Sequence, residues 1–220
     1  MSIAQTLCRF AGRNEVKTMH TAIDSIAGGG PLTPEHQQQV LVANQRTAKL
    51  RMAAKMAWFN GWVTGIFALL SAPFALFSLA GLVVTLGLIV VAYNEFRGRR
   101  LLLAYDPRAP YLLGWNQVGF MGLIIGYSLW MIVEGFAGPT PLAAELNANP
   151  DLQAMLGSPA ELQEMYQLLL LAVYGTSILL SALFQGINAL YYFTRRSSLN
   201  AYLQETPVWI RQLQRISYVA

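Results

Sequence analysis

Cysteine is almost missing from this chain. A single residue, Cys8, stands among 220, which excludes an intramolecular disulfide and any metal centre built on a cysteine cluster. Histidine is nearly as scarce. His20 and His36 both precede the first long apolar run, so the apolar segments offer no axial ligand to a haem. Charge is thin, at 12% of residues against about 25% in an ordinary soluble domain. There is no glycine-rich phosphate loop, no paired-histidine zinc motif and no Gly-x-Ser-x-Gly elbow. No catalytic set, cofactor or metal is therefore expected. Apolar residues are what the chain has in quantity, at 55%. A soluble globule, a collagen, a coiled coil and a disordered tail are all excluded by that balance. The expected class is all-α, a polytopic membrane protein.

The basic residues mark its topology. All fifteen Lys and Arg fall in four zones: Arg9, Arg13 and Lys17; then Arg46, Lys49, Arg51 and Lys55; then Arg97, Arg99, Arg100 and Arg108; then Arg195, Arg196, Arg211 and Arg215. Between Lys55 and Arg97, and again between Arg108 and Arg195, there is none. If basic residues stay cytoplasmic, each gap starts and ends on the same side of the membrane. As one helix, 56–96 would run roughly 60 Å, twice a hydrocarbon core of about 30 Å. It must fold into two passes, with the turn within 71–81, where Pro73 competes with Ser78 and Gly81 as the signal. The second gap holds apolar runs at about 111–136 and 165–193. The acidic, proline-punctuated segment between them reads as an outer loop. Four transmembrane helices with both termini cytoplasmic are expected, in a cell (inner) membrane, with the first helix acting as insertion signal.

Four regions follow from this pattern. Residues 1–30 form an amphipathic segment closed by Gly28-Gly29-Gly30. Residues 31–55 form a cytoplasmic helix that opens at Thr33-Pro34-Glu35, an N-cap hydroxyl followed by proline and an acid. The four-helix transmembrane bundle covers 56–196, with a basic inner loop at 97–110 and an acidic outer loop at 137–164. In that outer loop Ser158-Pro159-Ala160-Glu161 matches a capping box, and Asn149-Pro150-Asp151 suggests a short helix before it. Residues 197–220 end in an interfacial helix opened by Thr206-Pro207, with Trp209, Ile210, Leu213 and Ile216 on one face and Arg211, Gln214 and Arg215 away from it.

Polar groups inside a membrane are costly and ask for partners. Asn60 lies in the first apolar helix, Asn94 and Glu95 close the second, Asn116 and Gln117 open the third, and Gln185 and Asn188 lie near the end of the fourth. In the inferred topology these groups share one depth near the cytoplasmic boundary. They are expected to form an intramembrane belt that fixes helix register, the competing reading being a cavity open to the cytoplasm. Glu134, the remaining acid within an apolar run, is placed at the outer interface. Arg97, Arg99, Arg100, Arg108, Arg195, Arg196, Arg211 and Arg215 are candidate contacts for anionic headgroups or phosphate. The pairs Gly61 and Gly65, Gly122 and Gly126, and Ser177 and Ser181 put small residues on one face of three helices, for packing within the bundle or between protomers.

The expected partners are a bilayer with anionic headgroups and other membrane subunits or a second copy of the chain, with no nucleic acid. The expected function is that of a non-catalytic scaffold, assembly factor or accessory subunit of a larger membrane complex. A small transporter or channel is the alternative, and an enzyme acting on lipid headgroups the third reading.

Overall fold

The computed structural model describes residues 33–138 and 158–219. The expected amphipathic segment at 1–30, most of the outer loop and the helix start near Asn149 lie outside these. Among the described residues the chain is helical with no strand. The described residues form five helices: α1 Pro34–Ala75, α2 Leu79–Leu103, α3 Ala109–Ala137, α4 Pro159–Glu205 and α5 Val208–Val219. The chain divides into two compact units, residues 1–46 and 47–220. In the first, the described residues are the opening turns of α1, where the His36 N–H donates to Thr33 Oγ1 at 3.3 Å. The second holds everything that follows.

Of these helices, α2, α3 and the Ala160–Glu205 stretch of α4 are long and apolar enough to cross a membrane. The apolar half of α1 is not among them, because Trp58, Asn60, Trp62 and Thr64 interrupt it.

The turn between α1 and α2 falls at 76–78, inside the predicted window. Pro73 stays within the last turn of α1. The reversal belongs to Ser78, an extended N-cap whose Oγ accepts the Gly81 N–H at 2.9 Å. A Cβ at Gly81 would collide with the Phe74 carbonyl, so this turn needs glycine there. Further along, Thr85 Oγ1 donates to the Ser71 carbonyl at 3.1 Å and lies 3.0 Å from Ser71 Oγ. These bonds pin α1 antiparallel to α2.

Two boundaries differ from the expected ones. The helix carrying Arg97, Arg99 and Arg100 does not end at 97 but continues to Leu103, because arginines are good helix formers and Gly98 lets Leu113 pack closely. Likewise α4 runs past Arg196 to Glu205, since no proline follows until Pro207. The α2–α3 connection is accordingly short. It closes α2 with the Asp106 N–H on the Leu101 carbonyl at 2.9 Å and the Tyr105 N–H on the Leu102 carbonyl at 3.1 Å, a Schellman arrangement. Its left-handed position, normally glycine, is Tyr105 with φ 56°. Such a backbone costs on the order of 1–2 kcal/mol. Burying an aromatic ring returns more, about 3–5 kcal/mol judged by aromatic-to-alanine changes, and Tyr105 is buried against Tyr202 with ring centroids 4.7 Å apart.

At the start of α4 the expected capping box is formed. Ser158 Oγ accepts the Glu161 N–H at 3.3 Å, and Glu161 Oε2 accepts the Ser158 N–H at 3.1 Å. The core sits at the arginine-bearing end of the bundle, where Ala53, Ala54 and Ala57 of α1 meet Leu102, Ala109, Leu113 and Tyr192. The short alanine side chains of α1 pack directly into this cluster. The opposite half buries far less and leaves Leu69, Leu76 and Phe77 exposed.

The C-terminal helix is oriented differently from its predicted face. Ile210 and Gln214 point inward, with Gln214 only 4% exposed, while Leu213 and Val208 lie outside. The amide belongs to the polar face of the sequence pattern, yet Gln214 Oε1 accepts the Tyr202 hydroxyl at 2.6 Å. A buried partner on α4 overrides the simple amphipathic pattern.

Candidate functional site

Glu95 reaches the interior through the period of its helix. The buried residues of α2 are Thr85, Leu88, Val91, Ala92, Glu95, Gly98 and Leu102, a stripe at three- and four-residue spacing. Glu95 is 0% exposed. A buried carboxylate is tolerated only with hydrogen-bond partners, and the neighbouring helices supply them.

On α3 two adjacent amides converge on one oxygen. Asn116 Nδ2 donates to Glu95 Oε1 at 2.8 Å and Gln117 Nε2 to the same atom at 2.7 Å. Asn116 Nδ2 also lies 3.0 Å from the Val91 carbonyl, which ties it to the α2 backbone. On α4 the Tyr192 hydroxyl donates to Glu95 Oε2 at 3.4 Å. On α1 Asn60 Nδ2 donates to the Tyr192 oxygen, also at 3.4 Å. One connected network therefore takes a side chain from each of α1, α2, α3 and α4.

The backbone of α1 can approach because residue 61 is glycine. A Cβ there would stand 3.2 Å from Glu95 Cβ and 3.1 Å from the Phe96 ring. Trp62 then seals this edge, edge-on to Phe96 at 5.9 Å between centroids. Among the described residues the donors around the carboxylate are two amides and a phenol, with no cation, and no histidine, serine or second carboxylate is bonded to Glu95. Chemically the arrangement holds an acceptor in place.

Of the seven residues expected in the belt, Asn60, Glu95, Asn116 and Gln117 are brought together. Asn94 lines a groove on the outside of α2 and α3. Gln185 is half-buried, with its Oε1 enclosed and unpartnered among the described residues. Asn188 is half-buried on α4, outside the network. The place expected for those two is taken by Tyr192, an aromatic at the end of the fourth apolar run. Its signal was available: Ser181, Gln185, Asn188 and Tyr192 share one helical face.

The remaining candidates are dispersed. Arg97, Arg100, Arg108 and Arg196 are exposed, and Arg99, Arg195 and Arg211 are half-buried. Arg195 lies over the Tyr191 ring at 4.2 Å, and Arg215 belongs to α5. Glu134 accepts from Trp130 Nε1 at 3.0 Å on the exposed surface. Among the small residues, Gly61 is at a helix contact, whereas Gly65, Gly122 and Gly126 face open space. Ser177 Oγ donates to the Val173 carbonyl at 2.8 Å, and Ser181 is buried. Glycines not singled out from the sequence also meet neighbouring helices, among them Gly98 against Leu113 and Gly114 against Phe193. Compared with protein-family models, curated proteins and solved structures, the chain matches none.

Proposed function

We propose that this chain is a non-catalytic multi-pass membrane protein that serves as a scaffold or accessory subunit of a larger membrane complex. The observation that carries this reading is the enclosure of Glu95: the carboxylate sits at the centre of a network spanning four helices and, among the described residues, is bonded to two amides and a phenol that hold it. A transport site would have to exchange such partners for a substrate or water, and a fully enclosed one serves packing specificity first.

The proposal includes four passes in a cell (inner) membrane, with both termini on the cytoplasmic side. Support for the fourth pass comes from the α1–α2 hairpin. Since α2 is a candidate span, the part of α1 bonded along it shares its depth, and Ile66, Phe67, Leu69, Leu70 and Phe74 are exposed there. Exposed apolar surface of this extent suits lipid or a neighbouring protein better than water. The one-sided basic residues supply the orientation.

The test is the size and composition of the particle extracted from native membranes in mild detergent. A defined assembly larger than the chain, with partners in fixed ratio, is the expected outcome. It should be lost in Glu95→Leu and kept in Glu95→Gln. A lone species whose Glu95→Gln variant folds normally but loses a specific flux would replace this reading with a transporter.

A further inference from the structure

Between α2 and α3 the outside of the bundle carries a long groove. Toward the arginine-bearing end it encloses about 1010 Å³, lined among others by Leu86, Val90, Asn94, Arg108, Trp115 and Gly119. Leu123, also in its lining, continues it into a second, apolar groove of about 370 Å³ along Gly122 and Gly126, ending beside Trp130. The first volume lies at the upper end of the roughly 300–1,000 Å³ usual for small-molecule sites.

Its chemistry is divided by height. Asn94 and Arg108 mark one end, together with the aromatic pair Tyr111 and Trp115, 6.1 Å apart. Below them the lining is mostly aliphatic or glycine. From Asn94 to Leu86 along α2 is about 12 Å, close to the roughly 15 Å depth of one hydrocarbon leaflet. Arg108 immediately precedes α3, a candidate span, so its guanidinium lies at the level where headgroups begin. It is exposed. The nearby Asp106 carboxylate accepts the backbone N–H of Arg108 at 2.8 Å, and among the described residues no carboxylate lines the groove. A basic group between membrane helices, above an apolar slot one leaflet deep, is complementary to a phosphate bearing acyl chains.

We infer that the α2–α3 groove binds an anionic phospholipid, with its headgroup phosphate on Arg108 and one acyl chain along the open face of Gly119. This rests on α2 and α3 crossing the membrane and is independent of the accessory-subunit reading.

The full chain, purified in mild detergent and equilibrated with equal amounts of phosphatidylglycerol and phosphatidylcholine, can be assayed for retained lipid by native mass spectrometry. Wild type is expected to keep phosphatidylglycerol in preference. Arg108→Gln should reduce that preference about fivefold, the worth of one arginine near an anionic surface. Lys49→Gln, an exposed lysine off the groove, should leave it unchanged. Gly119→Phe extends into space where a Cβ meets nothing within 4 Å, and it should displace both lipids. Should that variant fail to fold, the surface change Arg108→Gln still decides. Equal retention of the two lipids by wild type, or an unchanged preference in Arg108→Gln, overturns the site. Unchanged lipid with an altered oligomeric mass in Gly119→Phe also overturns it and gives the groove to a protein contact.

Discussion

A carboxylate taken out of water must be solvated by something else, and for Glu95 that role falls to Asn116, Gln117 and Tyr192. The arrangement predicts how substitutions separate. Glu95→Leu removes the acceptor and leaves two buried amide donors on α3 without it, a loss of about 1–3 kcal/mol. Glu95→Gln keeps a carbonyl oxygen where both amides aim, and its new N–H₂ can donate to the Tyr192 oxygen. Thermal unfolding in detergent, followed by tryptophan fluorescence, should show a clear loss for Glu95→Leu and a much smaller one for Glu95→Gln. Equal losses would mean that the negative charge itself is required. Four of the five residues in this network are readable from residue types, and Tyr192 is not. An amide or acid in an apolar run announces itself by its cost, whereas a tyrosine near a membrane boundary is ordinary, and so Tyr192 is masked by its neighbours Tyr191 and Phe193.

For the helices, the local signals account for the ends and packing accounts for the faces. The α1–α2 reversal rests on Ser78 as cap and on the missing side chain at Gly81. Ser78→Ala should cost about 1 kcal/mol, the usual worth of an N-cap. Gly81→Leu should cost more, because the Cβ would meet a backbone carbonyl that cannot rotate away. Limited proteolysis at 76–78 with parallel thermal unfolding checks the order, and a Gly81→Leu protein as stable as Ser78→Ala would contradict it. The C-terminal helix illustrates the other half. Its pattern of Trp209, Ile210, Leu213 and Ile216 describes one possible face, but a helix of 12 residues turns readily about its axis to satisfy one strong contact. The Tyr202–Gln214 bond at 2.6 Å and the burial of Ile210 set the rotation instead.

For the molecule as a whole, the membrane topology can be decided by three labelling positions. In a Cys8→Ser background, single cysteines at Thr33, Pro107 and Asn147 give different patterns for three and four passes. Four passes put residues 33 and 107 on one side and 147 on the other. If α1 does not cross, residue 33 joins 147. The proposed topology predicts that a membrane-impermeant thiol reagent, applied to intact cells, labels only the cysteine at 147. Labelling at 33 as well would reduce the protein to three spans, α2, α3 and α4.

Much of this architecture follows from the amino-acid sequence alone. The length of the apolar runs, the four basic zones, the turn at Ser78 and Gly81 and the capping box at Ser158 are local properties, carried by residues within one or two turns of each other. The presence of a polar residue on each of four helices is legible for the same reason. Which of them meet is not. With 3.6 residues per turn, a shift of one residue rotates a side chain by about 100°, so the choice of Asn60 and Tyr192 over Asn94, Gln185 and Asn188 depends on the rotation of every helix in the bundle. That rotation is set jointly by Gly61 closing over Glu95, Gly98 receiving Leu113, Gly114 receiving Phe193 and the alanines of α1 meeting Leu102 and Tyr192. Those contacts join residues far apart in sequence, and only the packed tertiary structure brings them together.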